Sequence, residues 1–362
     1  MSFIRRLELK KHLLTAISYL IPIVCGAGFL IAIGMAFGGN GGADLTQPFT
    51  FWDALAKMGA LALGLLPAVI STGISASIAG KPGIAPGAII GLTANAIGAG
   101  FIGGILGGFI AGYLAVAIIK NLKVPNWAKG LMPTLIVPFL TSIIGGLIMV
   151  YIIGIPIAAF TSLLTNALNG LGTSSLFVFG GIVGLLSGVD FGGPINKTVF
   201  AFVLTLQAEG VNGPITALQL VNTATPIGFG LAYFIAKMFK KNIYTKSEVE
   251  TLKSAVPMGV VNIVEGVIPI VMNDIVRTVT AVAIGGFAGG ATTMVLGADA
   301  TVPFGGVLML PTMSQPWTGA VAILVNVVVT GLALAILKKN VKEDEQVEVE
   351  EEDIDLDDIQ IS

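Results

Sequence analysis

The sequence predicts an all-α polytopic membrane protein, with about 9–10 transmembrane helices plus re-entrant hairpins. Composition is the first reason: of 362 residues, 54% are hydrophobic and 11% charged, and the mean hydropathy is +0.91. A soluble domain carries about a quarter charged residues. Here 19 Lys and Arg with 21 Asp and Glu cannot cover the core of such a chain, so the remaining apolar surface faces lipid. The 48 glycines are the second reason, since glycine is commoner in membrane helices than in soluble ones. The third is the recurrence of apolar runs near the ~20-residue length that crosses a bilayer.

Those runs place spans at 13–37, 54–79, 83–96, 98–119, 131–153, 155–168, 175–189, 217–238, 259–272, 279–296 and 318–337. Several are too short to cross as straight helices. The first follows a basic segment, Met1 to Lys11, and is too long for a signal-peptide core, so it reads as a span. Basic residues then set the orientation. Arg5, Arg6, Lys10 and Lys11 put the N-terminus in the cytoplasm, and Lys120, Lys123 and Lys129 mark a second cytoplasmic loop. Lys237, Lys240, Lys241, Lys246 and Lys253 mark a third, and Lys338, Lys339 and Lys342 place the C-terminus inside. The acidic run from Glu343 to Asp358 reads as a solvated, disordered tail. Gly100, Gly104, Gly108 and Gly112 share one helix face, which invites close approach of another backbone, inside the fold or at a dimer interface.

An ionisable side chain in mid-membrane needs a reason, and such residues crowd the second half: Asp190, Lys197, Glu265, Asp274, Arg277 and Asp299. Asp190 and Lys197 bracket a helix break at Gly192, Gly193 and Pro194, where freed backbone groups can meet a ligand. Asn196 adds a donor and an acceptor suited to a sugar hydroxyl. Alternatively, Asp190 and Lys197 simply neutralise each other. Glu265 sits among apolar neighbours beside the helix-ending Gly266 and Pro269. It can accept two hydroxyl hydrogen bonds, or be a buried acid answered by Arg277 or Lys197. Asp274 and Arg277, three apart, read as a local ion pair. Weaker candidates are Thr223 and Thr225, whose hydroxyls most often bond to their own helix, and the interrupted run VPFGGVLMLP containing Phe304.

Several classes are excluded. One cysteine, Cys25, and one histidine, His12, allow neither a disulfide within the chain, nor a metal-ligand cluster, nor a histidine-based triad. No GxxxxGK[ST] loop is present, and no aromatic-interleaved basic patch suggests nucleic acid. No cofactor, metal or catalytic residue is expected. The reading is a transporter of a small polar solute, driven by an ion gradient or by a partner. A channel or a non-transporting membrane protein remains as the contrasting class.

KKHLLTAISYLIP at 10–22, GKPGIAPG at 80–87, GAGFIGGILGGFIAGY at 98–113, GVDFGGPINK at 188–197 and VEGVIPI at 264–270 resemble, in order, the signature segments of one family. It is the membrane component, enzyme IIC, of the bacterial phosphoenolpyruvate-dependent sugar phosphotransferase system (PTS), fructose-type branch. The resemblance spans about residues 10–337. It implies a homodimeric permease of the plasma membrane, in which 1–12 is a cytoplasmic N-terminus and 13–153 a dimerising scaffold. Residues 154–337 would form a transport region that moves elevator-fashion, and 338–362 the acidic tail. The sugar, fructose or a related hexose, would be phosphorylated by separate IIB and IIA subunits. By motif match, Asp190, Gly192, Gly193, Pro194, Asn196 and Lys197 belong to one segment of the sugar site, and Glu265 to the other. Phe304 stands where the family usually carries a histidine. The competing mechanism is ion-coupled secondary sugar transport, with Asp190 or Glu265 binding the ion.

Overall fold

The computed structural model describes residues 8–341, all of it helix, turn and coil, with no strand among the described residues. The acidic tail and the basic Arg5 and Arg6 lie outside them. Helix α1 (Leu9–Ala36) buries Ala16, Ile17, Leu20, Val24, Ala27 and Ile31, the i, i+3, i+4 stripe of a one-sided helix, while Tyr19 and Ile23 point away. A capping box at Thr50 and Asp53 starts α2 (Phe51–Gly64), and α3 (Leu66–Ala79) follows at once. The single span expected over 54–79 is therefore bent, by 46°. Pro67, at the start of α3, lacks the N–H that would continue the ladder. Helices α4 (Lys81–Ala96) and α5 (Gly100–Asn121) complete a packed group. The glycine stripe of α5 lies inside the fold: Gly104 meets Pro67, Gly108 meets Ser71 and Ile74, and Gly112 meets Ile78.

The two spans expected at 131–153 and 155–168 form one helical run, Asn126–Leu168, of 43 residues. A π-helical turn at Met132–Ile136 leads into α6 (Val137–Ile148), and a second at Met149–Ile153 joins α6 to α7 (Gly154–Asn169). Those wide turns precede Pro138 and Pro156 and absorb the missing donors without ending the helix. Next come α8 (Thr173–Gly188), α9 (Pro194–Ala208) and α10 (Gly213–Met238). After them come α11 (Lys246–Val260), a short α12 (Ile268–Asn273), α13 (Ile275–Val295) and α14 (Pro316–Leu337). The span expected at 259–272 is not a helix. Helix α11 ends in a turn with Asn262 left-handed at φ 67°, and one 3₁₀ turn, Glu265–Val267, leads into α12.

Among the described residues, six helical runs are long and apolar enough to cross a membrane, and the bent α2–α3 pair adds a seventh; α8 is apolar but shorter. One apolar core joins Leu20 and Val24 of α1, Ile70 and Ile74 of α3 and Phe101 of α5 to Phe200 and Leu204 of α9 and Leu218 of α10. A second lies within the later helices, around Phe229, Tyr244, Val267, Val282 and Leu334.

Helices α8 and α13 cross backbone to backbone, with Gly180 and Gly184 against Gly286 and Gly290. A Cβ on Gly184 would strike the carbonyl of Gly286, which is backbone and cannot swing aside. Gly184→Ala should therefore cost about 1–3 kcal/mol, seen as a lowered midpoint of unfolding in detergent. Gly146, which has open space around its Cα, should tolerate alanine.

Candidate functional site

Three helix breaks converge on one cavity. The chain leaves α8, turns through Phe191 (φ 49°) and Gly192 (φ 88°), and enters α9 at Pro194. Asp190 sits beneath that turn, accepting the backbone N–H of Ile195 at 2.5 Å and of Asn196 at 3.1 Å. Its carboxylate is thus answered by the orphan amides of the first turn of α9. The ion pair with Lys197 weighed from the sequence does not form: no contact within 4.0 Å joins them. The second break is the turn 261–267 carrying Glu265, and the third is the stretch 297–305, which passes Gly305 (φ 155°) and Gly306 (φ 60°) into a 3₁₀ helix, Gly306–Thr312.

The cavity they enclose has a volume of about 540 Å³, within the usual range for small-molecule sites. Its polar wall comes from Asn196, Gln219, Asn222 and Asn262, all buried. The Asn262 amide donates to Gln219 Oε1 at 2.5 Å, and Thr223 donates to Asn262 Oδ1 at 3.1 Å. Gln219 in turn donates to the Pro303 carbonyl in the third break. Asn196 donates to Asn222 Oδ1 at 3.0 Å and to the Ser187 carbonyl at 2.6 Å. Ile21, Pro22 and Cys25 of α1, with Phe200 and Phe304, form an apolar wall, and Ser18 completes the α1 stripe at i, i+3, i+4 and i+7. Phe304 stacks edge-on against Phe29 at 5.5 Å. Glu265 and Lys197 are its charged side chains; both are exposed, and neither is ion-paired within 4.0 Å among the described residues. The arrangement offers amide donors and acceptors and a carboxylate on one side, and a nonpolar surface on the other.

No family profile matches the chain. Individual relatives do. It is 32% identical over 349 residues to the fructose-like permease IIC component 2 of Escherichia coli, covering 96% of each. It is 33% identical over 354 residues to the PTS fructose-specific EIIC component of Haloferax volcanii, covering 92% of this chain and 93% of that one. The chain belongs to the fructose-type enzyme IIC family. Longer relatives also align: the fructose-specific EIIB'BC component of E. coli is 38% identical over 333 residues, which is 58% of its length. The EIIABC component of Bacillus subtilis is 35% identical over 337 residues, 52% of its length.

Within this IIC chain, the expected residues divide. Gly192, Asn196, Lys197, Glu265 and Phe304 line the cavity. A Cβ on Gly192 would overlap the Glu265 carboxylate, so the turn and the acid are fitted to each other. Asp190, Gly193, Pro194, Gly266, Pro269, Thr223 and Thr225 stand outside the lining. Gly193 packs on the Asp190 carboxylate, Pro194 opens α9, and Gly266 packs against Met258 and Ala255. Pro269 opens α12. Thr225 donates to its own helix at Val221 O, 2.8 Å, as expected of a membrane threonine. Asp274 and Arg277 do pair, at 3.1 Å. Sequence reasoning missed Gln219, Asn222 and Asn262 because it searched for charges. The signal was present: Gln219 and Asn222 lie three apart in a span, which puts two amides on one face.

Because Asp190 acts on the backbone, Asp190→Ala should cost roughly 0.5–2 kcal/mol of stability, as loss of a helix cap does. Denaturation midpoints should fall while the substrate affinity of the still-folded protein changes less than it does on substitution of Glu265.

Proposed function

We propose that this IIC chain carries a hexose of the fructose type through the cavity between α1 and the unit of α9, α10 and the turn after α11, and presents it for phosphorylation by a IIB partner, itself recharged by IIA. The observation that carries the reading is the pairing of a partner-free Glu265 carboxylate with the Asn196, Gln219, Asn222 and Asn262 amides in one cavity. Sugar hydroxyls need acceptors and donors at fixed angles, and a carboxylate accepts two. The apolar wall of Ile21, Pro22, Phe200 and Phe304 suits the C–H face of the ring. Relatives named as EIIB'BC and EIIABC components support the phosphotransfer partnership.

The finer proposals follow from the same reading. The chain sits in the bacterial plasma membrane with both termini cytoplasmic, which the grouping of Lys and Arg supports. Residues 13–153 serve as a homodimerising scaffold and 154–337 as the moving transport region. A cavity walled by α1 on one side and by α9, α10 and the turn after α11 on the other supports that division, since relative sliding would expose its contents. Elevator-like movement of the transport region then delivers the sugar to the cytoplasmic side.

The test uses inverted vesicles containing the protein, labelled fructose and related hexoses, and the soluble phosphotransfer proteins with matching IIA and IIB. Sugar phosphate should form only when phosphoenolpyruvate is supplied. Accumulation of unmodified sugar on an ion gradient, without a phosphate donor, would establish the secondary-transport alternative instead. Glu265→Gln keeps the shape and removes the charge, so sugar affinity should fall about 10-fold or more. Unchanged binding would remove Glu265 from the site.

A further inference from the structure

The cavity holds a second charge that a neutral sugar does not explain. Among the described residues that line it, Lys197 is the one basic side chain. It has no hydrogen bond or ion pair among the described residues. Its two carboxylate candidates are spoken for or out of reach: Asp190 is turned onto the amides of Ile195 and Asn196, and Glu265 lies beyond 4.0 Å. The Lys197 ammonium is exposed in the cavity and uncommitted among the described residues, so it is free to meet a ligand. A free hexose carries no charge, and the amides with Glu265 already meet its hydroxyls.

Resting on the permease reading above, we propose that Lys197 binds the phosphoryl group during its transfer to the sugar, so that it is a catalytic residue and not a sugar ligand. In that step the bond from phosphorus to the phosphorylated side chain of IIB breaks, and its electron pair leaves with that side chain. A bond from phosphorus to the sugar hydroxyl oxygen forms, and the hydroxyl proton passes to the Glu265 carboxylate and then to water. The phosphoryl group brings negative charge into a cavity that already holds a carboxylate. A cation positioned there offsets the repulsion and stabilises the charge spread over the phosphoryl oxygens. Lys197 stands one turn into α9, whose opening amides are occupied by Asp190, so the helix end itself is not available for this work.

The experiment compares wild type, Lys197→Met and Lys197→Arg on three readouts: binding of free hexose, binding of the hexose phosphate, and phosphorylation in the vesicle assay. Lys197→Met should bind free hexose within about 3-fold of wild type, since no hydrogen bond to the sugar is removed. It should bind hexose phosphate about 10-fold or more weakly and lose roughly 10²–10³ in phosphorylation rate. Lys197→Arg should recover part of both losses. Equal weakening of free and phosphorylated sugar would make Lys197 a sugar ligand and overturn the assignment. Unchanged phosphorylation in Lys197→Met would overturn it too, while leaving the permease reading intact. A wild type that binds hexose but never yields its phosphate would overturn the permease reading, and this assignment with it. The side chain makes no hydrogen bond or ion pair among the described residues, so all three proteins should elute alike on size exclusion; a Met variant that aggregates is judged through Lys197→Arg and Lys197→Gln on the same ratios.

Discussion

A peptide group released from a helix inside a bilayer has no water to turn to, and leaving it unpaired costs several kcal/mol. That constraint governs this chain, because its three breaks all lie in the same region and each must be answered by protein. One helix answers most of them. Helix α10 presents Thr216, Gln219, Asn222 and Thr223 along its buried side. Thr216 Oγ1 accepts the Ala300 N–H at 2.9 Å, and Gln219 donates to the Pro303 carbonyl, so both hold the third break. Gln219 and Thr223 meet Asn262 in the second break, and Asn222 accepts from Asn196 just beyond the first. The Asp190 carboxylate completes the first break locally. Helix α10 is accordingly the most buried of the membrane-length helices, at 67%, and the least apolar of them. It is a polar spine around which broken segments can exist at all.

The same groups line the cavity, so folding and recognition share their chemistry. Gln219 and Asn262 are committed to each other, and to the Pro303 carbonyl and the Thr223 hydroxyl respectively, before any ligand arrives, which fixes their remaining lone pairs and protons in direction. Such preorganisation lowers the ordering cost of binding. Glu265 differs: its carboxylate stands on a 3₁₀ turn, with Gly192 packed against it and no partner taken. The wall thus pairs committed amides with a carboxylate that is uncommitted among the described residues, the combination on which the proposed sugar recognition rests.

How much of this was legible follows from what each kind of residue announces. Charge and glycine announce themselves: Gly192 and Pro194 marked the first break, and Lys197 and Glu265 marked the cavity, because each violates what a plain lipid-facing helix would carry. Proline announced less than it promised. Pro67 bends the α2–α3 pair, yet Pro138 and Pro156 sit in a continuous 43-residue run, since π-turns before them absorb the lost donors. Periodicity alone cannot distinguish these outcomes. The amides were silent for another reason. Gln219 and Asn222 are uncharged and lie inside a long, otherwise ordinary span; Gln219 draws its worth from Asn262 and Pro303, 43 and 84 residues away, and Asn222 from Asn196, 26 residues away. Asp190 was legible as important, but not its target, because a carboxylate's choice between a lysine and two backbone amides is made by the turn at Phe191 and Gly192.

The two walls of the cavity also differ in how they are joined. Asn196, Gln219, Asn222 and Asn262 are tied by hydrogen bonds that need close geometry, so α9, α10 and the turn after α11 hold together as a unit. Helix α1 meets that unit through Ile21, Pro22 and Phe29, the last against Phe304, and through the close approach of Gly28 to the Phe304 backbone. Contacts of that kind are nondirectional. In lipid they are also replaceable, because hydrocarbon is as good a neighbour as a side chain. Among the described residues no hydrogen bond joins α1 to that unit, so a shift along the α1 face breaks none there, whereas a shift within the polar wall would leave several donors unpaired. If parts of this protein move to carry a sugar across, the seam beside α1 is where the physical cost is lowest, and that supports the division into scaffold and transport region proposed above.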